Sequence, residues 1–101
     1  FKIRGERFKP LGLRPEMMLA ILAAASVFQS HDLKFTITSL LDGQHGVKSK
    51  HLVGCAVDIR TREISIPELQ ELIVDEIRDA LTNGYDVIPE KTHLHIEWDP
   101  K

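Results

Sequence analysis

Cysteine is nearly absent from this 101-residue chain, in which Cys55 is the single example. One cysteine excludes an internal disulfide and a zinc site built from several cysteines. The chain also lacks an excess of positive charge, because 13 Lys and Arg stand against 15 Asp and Glu and give a net charge of −2. We therefore predict no nucleic-acid partner, since such binding requires a basic surface.

Long hydrophobic runs are missing as well. The longest mainly apolar stretch covers residues 17–28 and is too short to span a bilayer, so we predict no membrane partner. No basic segment with a small-residue cleavage site precedes it, and the sequence therefore predicts no signal peptide. Hydrophobic residues make up 43% of the chain, which suits one small core, and we expect a single domain over residues 1–101. The sequence assigns no oligomeric state.

The pattern of apolar residues predicts the order of helices and strands. Residues 1–13 mix glycine, proline and charge, which indicates an irregular or edge-strand lead-in. Ser65 and Glu68 form a capping-box pattern that is expected to open the second helix. We predict helices over 15–29 and 65–81, and strands over 33–39, 55–60, 85–88 and 93–98. This order favours an α+β domain with a small, mostly antiparallel sheet and two main helices.

Histidine is plentiful, with five in the chain, and two segments concentrate polar side chains. The first puts His51 at the end of a loop and Asp58 seven residues later, inside a predicted strand. The second, THLHIEW, puts His93, His95 and Glu97 on one face of a strand, because alternate side chains share a face. Burying three ionisable groups side by side is costly without a metal or a cleft. The second segment therefore indicates a functional site.

Two histidines and an aspartate would supply two imidazole nitrogens and one carboxylate oxygen, a donor set that suits zinc. Three protein ligands leave the fourth position open, which is the pattern of catalytic rather than structural zinc. Zinc acidifies a bound water and polarises a carbonyl. With a base nearby, such a site can hydrolyse an amide bond.

The first segment carries a resemblance to a known family. Ser49, His51, Gly54, Ala56 and Asp58 match the motif S-x-H-x-x-G-x-A-x-D, and an H-x-H pair follows downstream. This combination resembles the M15 peptidases, the D-alanyl-D-alanine carboxypeptidases and L-alanyl-D-glutamate endopeptidases of bacteria and phages. The resemblance extends over about residues 15–99. It implies a hedgehog/DD-peptidase-like fold and a zinc peptidase that cuts peptidoglycan stem peptides.

The same resemblance implies roles for individual residues. It implies three zinc ligands, namely His51, Asp58 and His95. His93, two residues before the last ligand, would be a catalytic group beside the metal. Some members of the family instead carry an acidic base three residues before the last ligand, where this chain has Thr92. The base is then either His93, which we favour, or an acid from elsewhere, with Glu90 the nearest candidate.

A second departure from the family concerns substrate binding. Many relatives follow a Thr-Ser pair in the strand before the motif with an arginine that holds a substrate carboxylate. Here Thr38 and Ser39 are followed by Leu40, so no arginine stands at that position. Recognition of a free C-terminal carboxylate would then require Arg60 or a lysine to take its place.

Two other readings of the site stay open. The domain could bind zinc without catalysis, as an interaction module of the hedgehog type. Alternatively zinc could be purely structural, with His45 or Glu97 as a fourth ligand. Otherwise Glu97 is expected to orient a ligand, and His31 is expected to be a surface loop residue. The short chain favours a phage or prophage enzyme of lysis or of the virion tail.

Overall fold

The computed structural model describes residues 2–3, 15–41, 56–81 and 83–99. These residues form β1 (Lys2–Ile3), α1 (Pro15–Ser30), β2 (Thr36–Leu41), β3 (Ala56–Arg60), α2 (Pro67–Ala80), β4 (Tyr85–Pro89) and β5 (His93–Trp98). The strands make one sheet in the order β1-β2-β3-β5-β4. β1 is parallel to β2, and the other neighbouring pairs are antiparallel. The predicted α+β class, with two main helices and a mostly antiparallel sheet, is confirmed.

The first helix ends in a cap that delays the start of β2. Leu33 N–H donates to the carbonyl oxygen of Phe28 at 2.9 Å, and Asp32 N–H donates to that of Gln29 at 2.9 Å. Asp32 adopts the left-handed conformation, with φ of 59°. These bonds define a Schellman motif, the common ending of an α-helix. The strand predicted from Leu33 therefore begins only at Thr36, because the preceding residues turn the chain out of the helix.

β2 runs two residues beyond its predicted end and contains a β-bulge. The register pairs Ile37 with Ile59 and then Ser39 with Asp58. Two residues of β2 thus span one step of β3, and Thr38 is the extra one. The bulge shifts the alternation of side chains by one residue, and this shift places Ser39 on the face that carries Asp58.

The predicted capping box of the second helix is wrong. The N-cap of α2 is Ile66, which has an extended backbone and makes no side-chain capping hydrogen bond. Pro67 occupies the first helical position. Proline suits that position because its φ is fixed near the helical value and its missing N–H would be unbonded there anyway. The helix therefore begins after Ile66, one residue too late for Ser65 to cap it.

Both helices pack against one face of the sheet and enclose the hydrophobic core. The strand side chains of this core are buried, and they include Ile37, Leu40, Val57, Ile59, Val87, Leu94 and Ile96. On β5 the predicted alternation is confirmed. Leu94 and Ile96 face the core, whereas His93, His95 and Glu97 are half-buried on the opposite face.

Only one face of α1 belongs to the core. Met17 and Phe28 are fully buried, whereas Met18, Leu19 and Leu22 are 49%, 61% and 59% exposed. An apolar face can therefore point outward on this helix, and hydrophobicity alone does not reveal which side is buried. Neither helix in the described residues has the length and apolar character needed to cross a membrane.

Candidate metal centre

Two of the three predicted zinc ligands lie in direct contact. Asp58 on β3 and His95 on β5 are partners in the antiparallel register, so their side chains project from the same face. His95 Nδ1 lies 2.7 Å from Asp58 Oδ1, and the two side chains are 18% and 17% exposed. The third predicted ligand, His51, lies outside the described residues, as does the alternative ligand His45.

The His95 imidazole is also held at its second nitrogen. His95 Nε2 lies 3.0 Å from Glu97 Oε1, so the ring stands between two carboxylates. The pKa of His95 is raised from 6.5 to about 9, chiefly by the hydrogen bond to Asp58. Partial burial opposes this rise, and the hydrogen bond to Glu97 and the charges of both carboxylates add to it. Without a metal, His95 is therefore an imidazolium at neutral pH.

The two candidate bases, predicted as alternatives, touch each other. Glu90 Oε1 lies 2.7 Å from His93 Nε2. The turn between β4 and β5 brings them together, because Glu90 N–H donates to the carbonyl oxygen of His93 at 2.8 Å. Thr92 Oγ1 lies 3.2 Å from His93 Nδ1 and holds the other side of the ring. His93 Nε2 is also 3.7 Å from Asp58 Oδ1, which places the pair beside the predicted ligands.

The donor atoms of Asp58 and His95, a carboxylate oxygen and an imidazole nitrogen, are of the types that bind zinc, although they are hydrogen-bonded to each other here. With bonds of about 2.0–2.1 Å to a tetrahedral metal, neighbouring ligand atoms stand roughly 3.3 Å apart. The observed separation of 2.7 Å between Asp58 Oδ1 and His95 Nδ1 is only slightly shorter, so a small side-chain rotation would open it. Glu97 on the opposite nitrogen matches the carboxylate that commonly orients a metal-binding histidine. The contacts therefore suit Glu97 as an orienting group.

A second group of carboxylates lies at the other end of this face. Ligand oxygens of Asp86, Glu97 and Asp99 all lie within 4.8 Å of one another. Oxygen-only ligands suit calcium or magnesium better than zinc, and exposed acidic groups are common without an ion. The sequence does not predict a site at Asp86 or Asp99, because the pairing of Asp86 with Glu97 becomes visible only in the register of β4 and β5.

Two other features lie away from this centre. His31, predicted as a surface loop residue, lies in the turn after α1 and is partly exposed, and its Nε2 lies 2.7 Å from Glu76 Oε1 on α2. A cleft of about 330 Å³ runs along α2 beside Val74, Arg78 and Pro89, and none of its lining residues belongs to the candidate centre. The side chains of Asp58, His93, His95 and Glu97 thus lie on the face of the sheet opposite the helices.

Comparisons of this chain with protein-family models, with curated proteins and with solved structures found no match. The chemistry of the side chains and their geometry are therefore the basis for a functional proposal.

Proposed function

We propose that this protein is a zinc-dependent peptidase of the M15 type that hydrolyses peptide bonds in peptidoglycan stem peptides. One observation carries the proposal, which is the convergence of four side chains on one sheet face: Asp58, Glu90, His93 and His95. The resemblance of residues 49–58 and of the H-x-H pair to M15 peptidases supplies the substrate class. It also supplies the proposed hedgehog/DD-peptidase-like fold.

The zinc would be held by His51, Asp58 and His95. When bound, it would polarise the scissile carbonyl and lower the pKa of an attacking water. Glu97 would accept the N–H of His95 Nε2 and leave Nδ1 as the nitrogen directed at Asp58 and the metal. Two ligands on neighbouring strands make this part of the site rigid, because the backbone register fixes their separation.

The contact between Glu90 and His93 would handle the proton of the reaction. A general base must lie within hydrogen-bond reach of its proton donor and partner, and these two side chains are 2.7 Å apart. The pair would accept the proton of the attacking water, and protonated His93 would then stabilise the negative charge on the carbonyl oxygen of the tetrahedral intermediate. The pair would give the same proton to the leaving amine when the C–N bond breaks, which regenerates the base. Some M15 peptidases carry an acidic base at the position of Thr92. In this proposal Glu90, in the turn between β4 and β5, takes the place of that acid.

The test is digestion of purified peptidoglycan by the metal-free protein, by the protein with added zinc and by the same sample with a chelator. Mass spectrometry of the fragments identifies the bond that is cut. We expect hydrolysis only with zinc. Zinc binding without hydrolysis of any wall peptide would contradict the peptidase and support the non-catalytic module of the hedgehog type.

Variants then separate catalysis from folding. Glu90→Gln and His93→Gln are expected to lower the rate about 10²–10⁴-fold. Lys91→Gln is the matched control, because Lys91 lies exposed on the same turn between these residues. Its activity should equal that of the wild type. If both Glu90→Gln and His93→Gln keep the wild-type rate, the assignment of the base is wrong.

A further inference from the structure

The outward side of α1 carries large apolar side chains and no charged one. Helical spacing places Met18 and Leu22 in line along this side, with Leu19 next to them. Met18, Leu19 and Leu22 are 49%, 61% and 59% exposed. Among the 16 residues of the helix, Glu16 alone is charged, and it is half-buried. A helix at the surface of a globular protein normally turns charged and polar residues to water. The outward side of α1 instead has the character of a contact surface.

The second helix has the charged face that α1 lacks, although both helices pack on the same side of the sheet. The charged residues of α2 are Glu68, Glu71, Asp75, Glu76, Arg78 and Asp79. Leu72 is 46% exposed but stands among these charges. A single exposed leucine of this kind is ordinary at a protein surface, whereas a cluster of exposed apolar side chains marks an interaction site. The two helices therefore differ in what their outward sides can bind.

A groove continues the outward side of α1 at its C-terminal half. The groove has a volume of about 570 Å³ and is lined by this half of the helix and by residues 33–35. Ala25 and Ser26 have short side chains, which make this half concave. Met18 and Leu19 are long and exposed, so they form a ridge on the other half. The surface thus has an apolar ridge at one end and a partly apolar groove at the other.

A second copy of the chain matches this surface better than a lipid surface or a charged protein does. Helices that lie on anionic membranes carry Lys or Arg beside their apolar face, and residues 15–30 contain neither. When two copies of α1 run antiparallel, the ridge of each copy meets the groove of the other. Glu16 of one copy then lies at the same end as Lys34 of the other, where opposite charges attract. The surface is therefore complementary to itself in shape and in charge.

We propose that the protein forms a homodimer through α1, with the two helices antiparallel about a twofold axis near Leu22. A 16-residue helix offers a face about 24 Å long and 10 Å wide, roughly 250 Å². Stable dimers bury about 800 Å² per partner, and so this dimer is a weak one, with an expected Kd between about 10 µM and 1 mM. The candidate metal centre is on the opposite side of the sheet and stays open in the dimer. The inference does not depend on the proposed peptidase activity.

Sedimentation velocity of the wild type between about 5 µM and 2 mM measures the association, with a chelator present to prevent bridging by metals. We expect the sedimentation coefficient to rise from that of a monomer to that of a dimer. Leu22→Glu places two like charges together at the axis and should weaken association more than about 100-fold. Leu19→Gln adds no charge and should weaken it about 10-fold. Leu72→Glu is the matched control, because it changes an exposed leucine on α2 in the same way, and its Kd should equal that of the wild type.

A wild type that stays monomeric at the highest concentration overturns the proposal and assigns this face to a different occupant. An equal loss of association in Leu22→Glu and Leu72→Glu overturns it as well, since the effect would then be one of net charge. Far-UV circular dichroism shows that each variant is folded.

Disulfide trapping tests the antiparallel arrangement. Leu22→Cys and Met18→Cys are each made together with Cys55→Ser, so that the introduced thiol is the one cysteine. With the axis at Leu22, the two introduced thiols of Leu22→Cys are neighbours. The Met18 positions are roughly 12 Å apart along the helices, beyond the reach of about 7 Å between the Cα atoms of a disulfide. We expect air oxidation to link Leu22→Cys into a covalent dimer and to leave Met18→Cys monomeric. Equal cross-linking of both variants would show parallel helices and overturn the proposed arrangement.

Discussion

His95 Nδ1 lies 2.7 Å from Asp58 Oδ1, and the backbone register of β3 and β5 sets this contact. Neither side chain depends on a long loop for its position, because both extend from paired strands beside a buried core. In the absence of a metal, the N–H of His95 Nδ1 donates a hydrogen bond to Asp58 Oδ1. A metal-bound histidine must be neutral, so the proposed zinc would have to displace that proton.

The first prediction concerns the pH dependence of stability in the metal-free protein. The pKa of His95 is about 9 in the folded state against an ordinary 6.5, so folding is favoured when the ring is protonated. This contribution is fully present below pH 6.5 and is lost as the pH rises through about 9. We expect the free energy of unfolding to fall by roughly 1–3 kcal/mol across that window. Urea unfolding with a chelator present, between pH 6 and pH 9.5, measures it.

His95→Gln is the control for that experiment, since glutamine keeps hydrogen-bonding capacity but does not titrate. Its stability should lose most of the dependence on pH in this window. An unchanged pH profile in His95→Gln would show that another group is responsible.

The second prediction concerns Glu97 and zinc affinity. Glu97 holds His95 at Nε2, 3.0 Å away, and removing such an orienting carboxylate typically costs 10–100-fold in metal affinity. We expect Glu97→Gln to weaken zinc binding by about that factor and His95→Gln to weaken it further. Competition with a chromophoric chelator measures both. Asp99→Asn, at the acidic end of the same face, is the control, and an equal loss in that variant would favour a general effect of charge.

The third prediction compares two neighbouring methionines on α1. Met17 is fully buried and Met18 is 49% exposed. Met17→Ala should lower the free energy of unfolding by about 2–5 kcal/mol, because it leaves a cavity in the core. Met18→Ala should change it by less than about 0.5 kcal/mol. Urea unfolding of the two variants measures the difference, and similar values would mean that the helix packs through a different face.

The sequence predicts the α+β class and the polar face of β5 because both depend on local periodicity. His93, His95 and Glu97 alternate with buried residues as expected. The bulge at Thr38 and the helix start at Pro67 are not predictable in this way, since one depends on register and the other on the competition between two capping signals. Periodicity also cannot show how a turn folds back, and so Glu90 and His93 look like alternatives rather than one contacting pair.

The fourth prediction concerns two residues with positive φ. Gly84 has φ of +103°, and a Cβ added there would lie 2.6 Å from Cζ3 of Trp98. Gly84→Ala therefore combines backbone strain with a clash against a partly buried ring. Asp32 has φ of 59° at the helix cap, where glycine is the preferred residue.

We expect Gly84→Ala to destabilise the protein by about 1–3 kcal/mol. Asp32→Gly should stabilise it by up to about 1 kcal/mol, because relief of strain exceeds the added entropy of the unfolded chain. Asn83→Ala, at an exposed position beside Gly84, is the control and should stay within about 0.5 kcal/mol. Thermal and urea unfolding of the three variants measure these changes. A stable Gly84→Ala variant would mean that Trp98 can move away from the turn, and the packing of Trp98 on Tyr85, with ring centroids 5.0 Å apart, would then be loose.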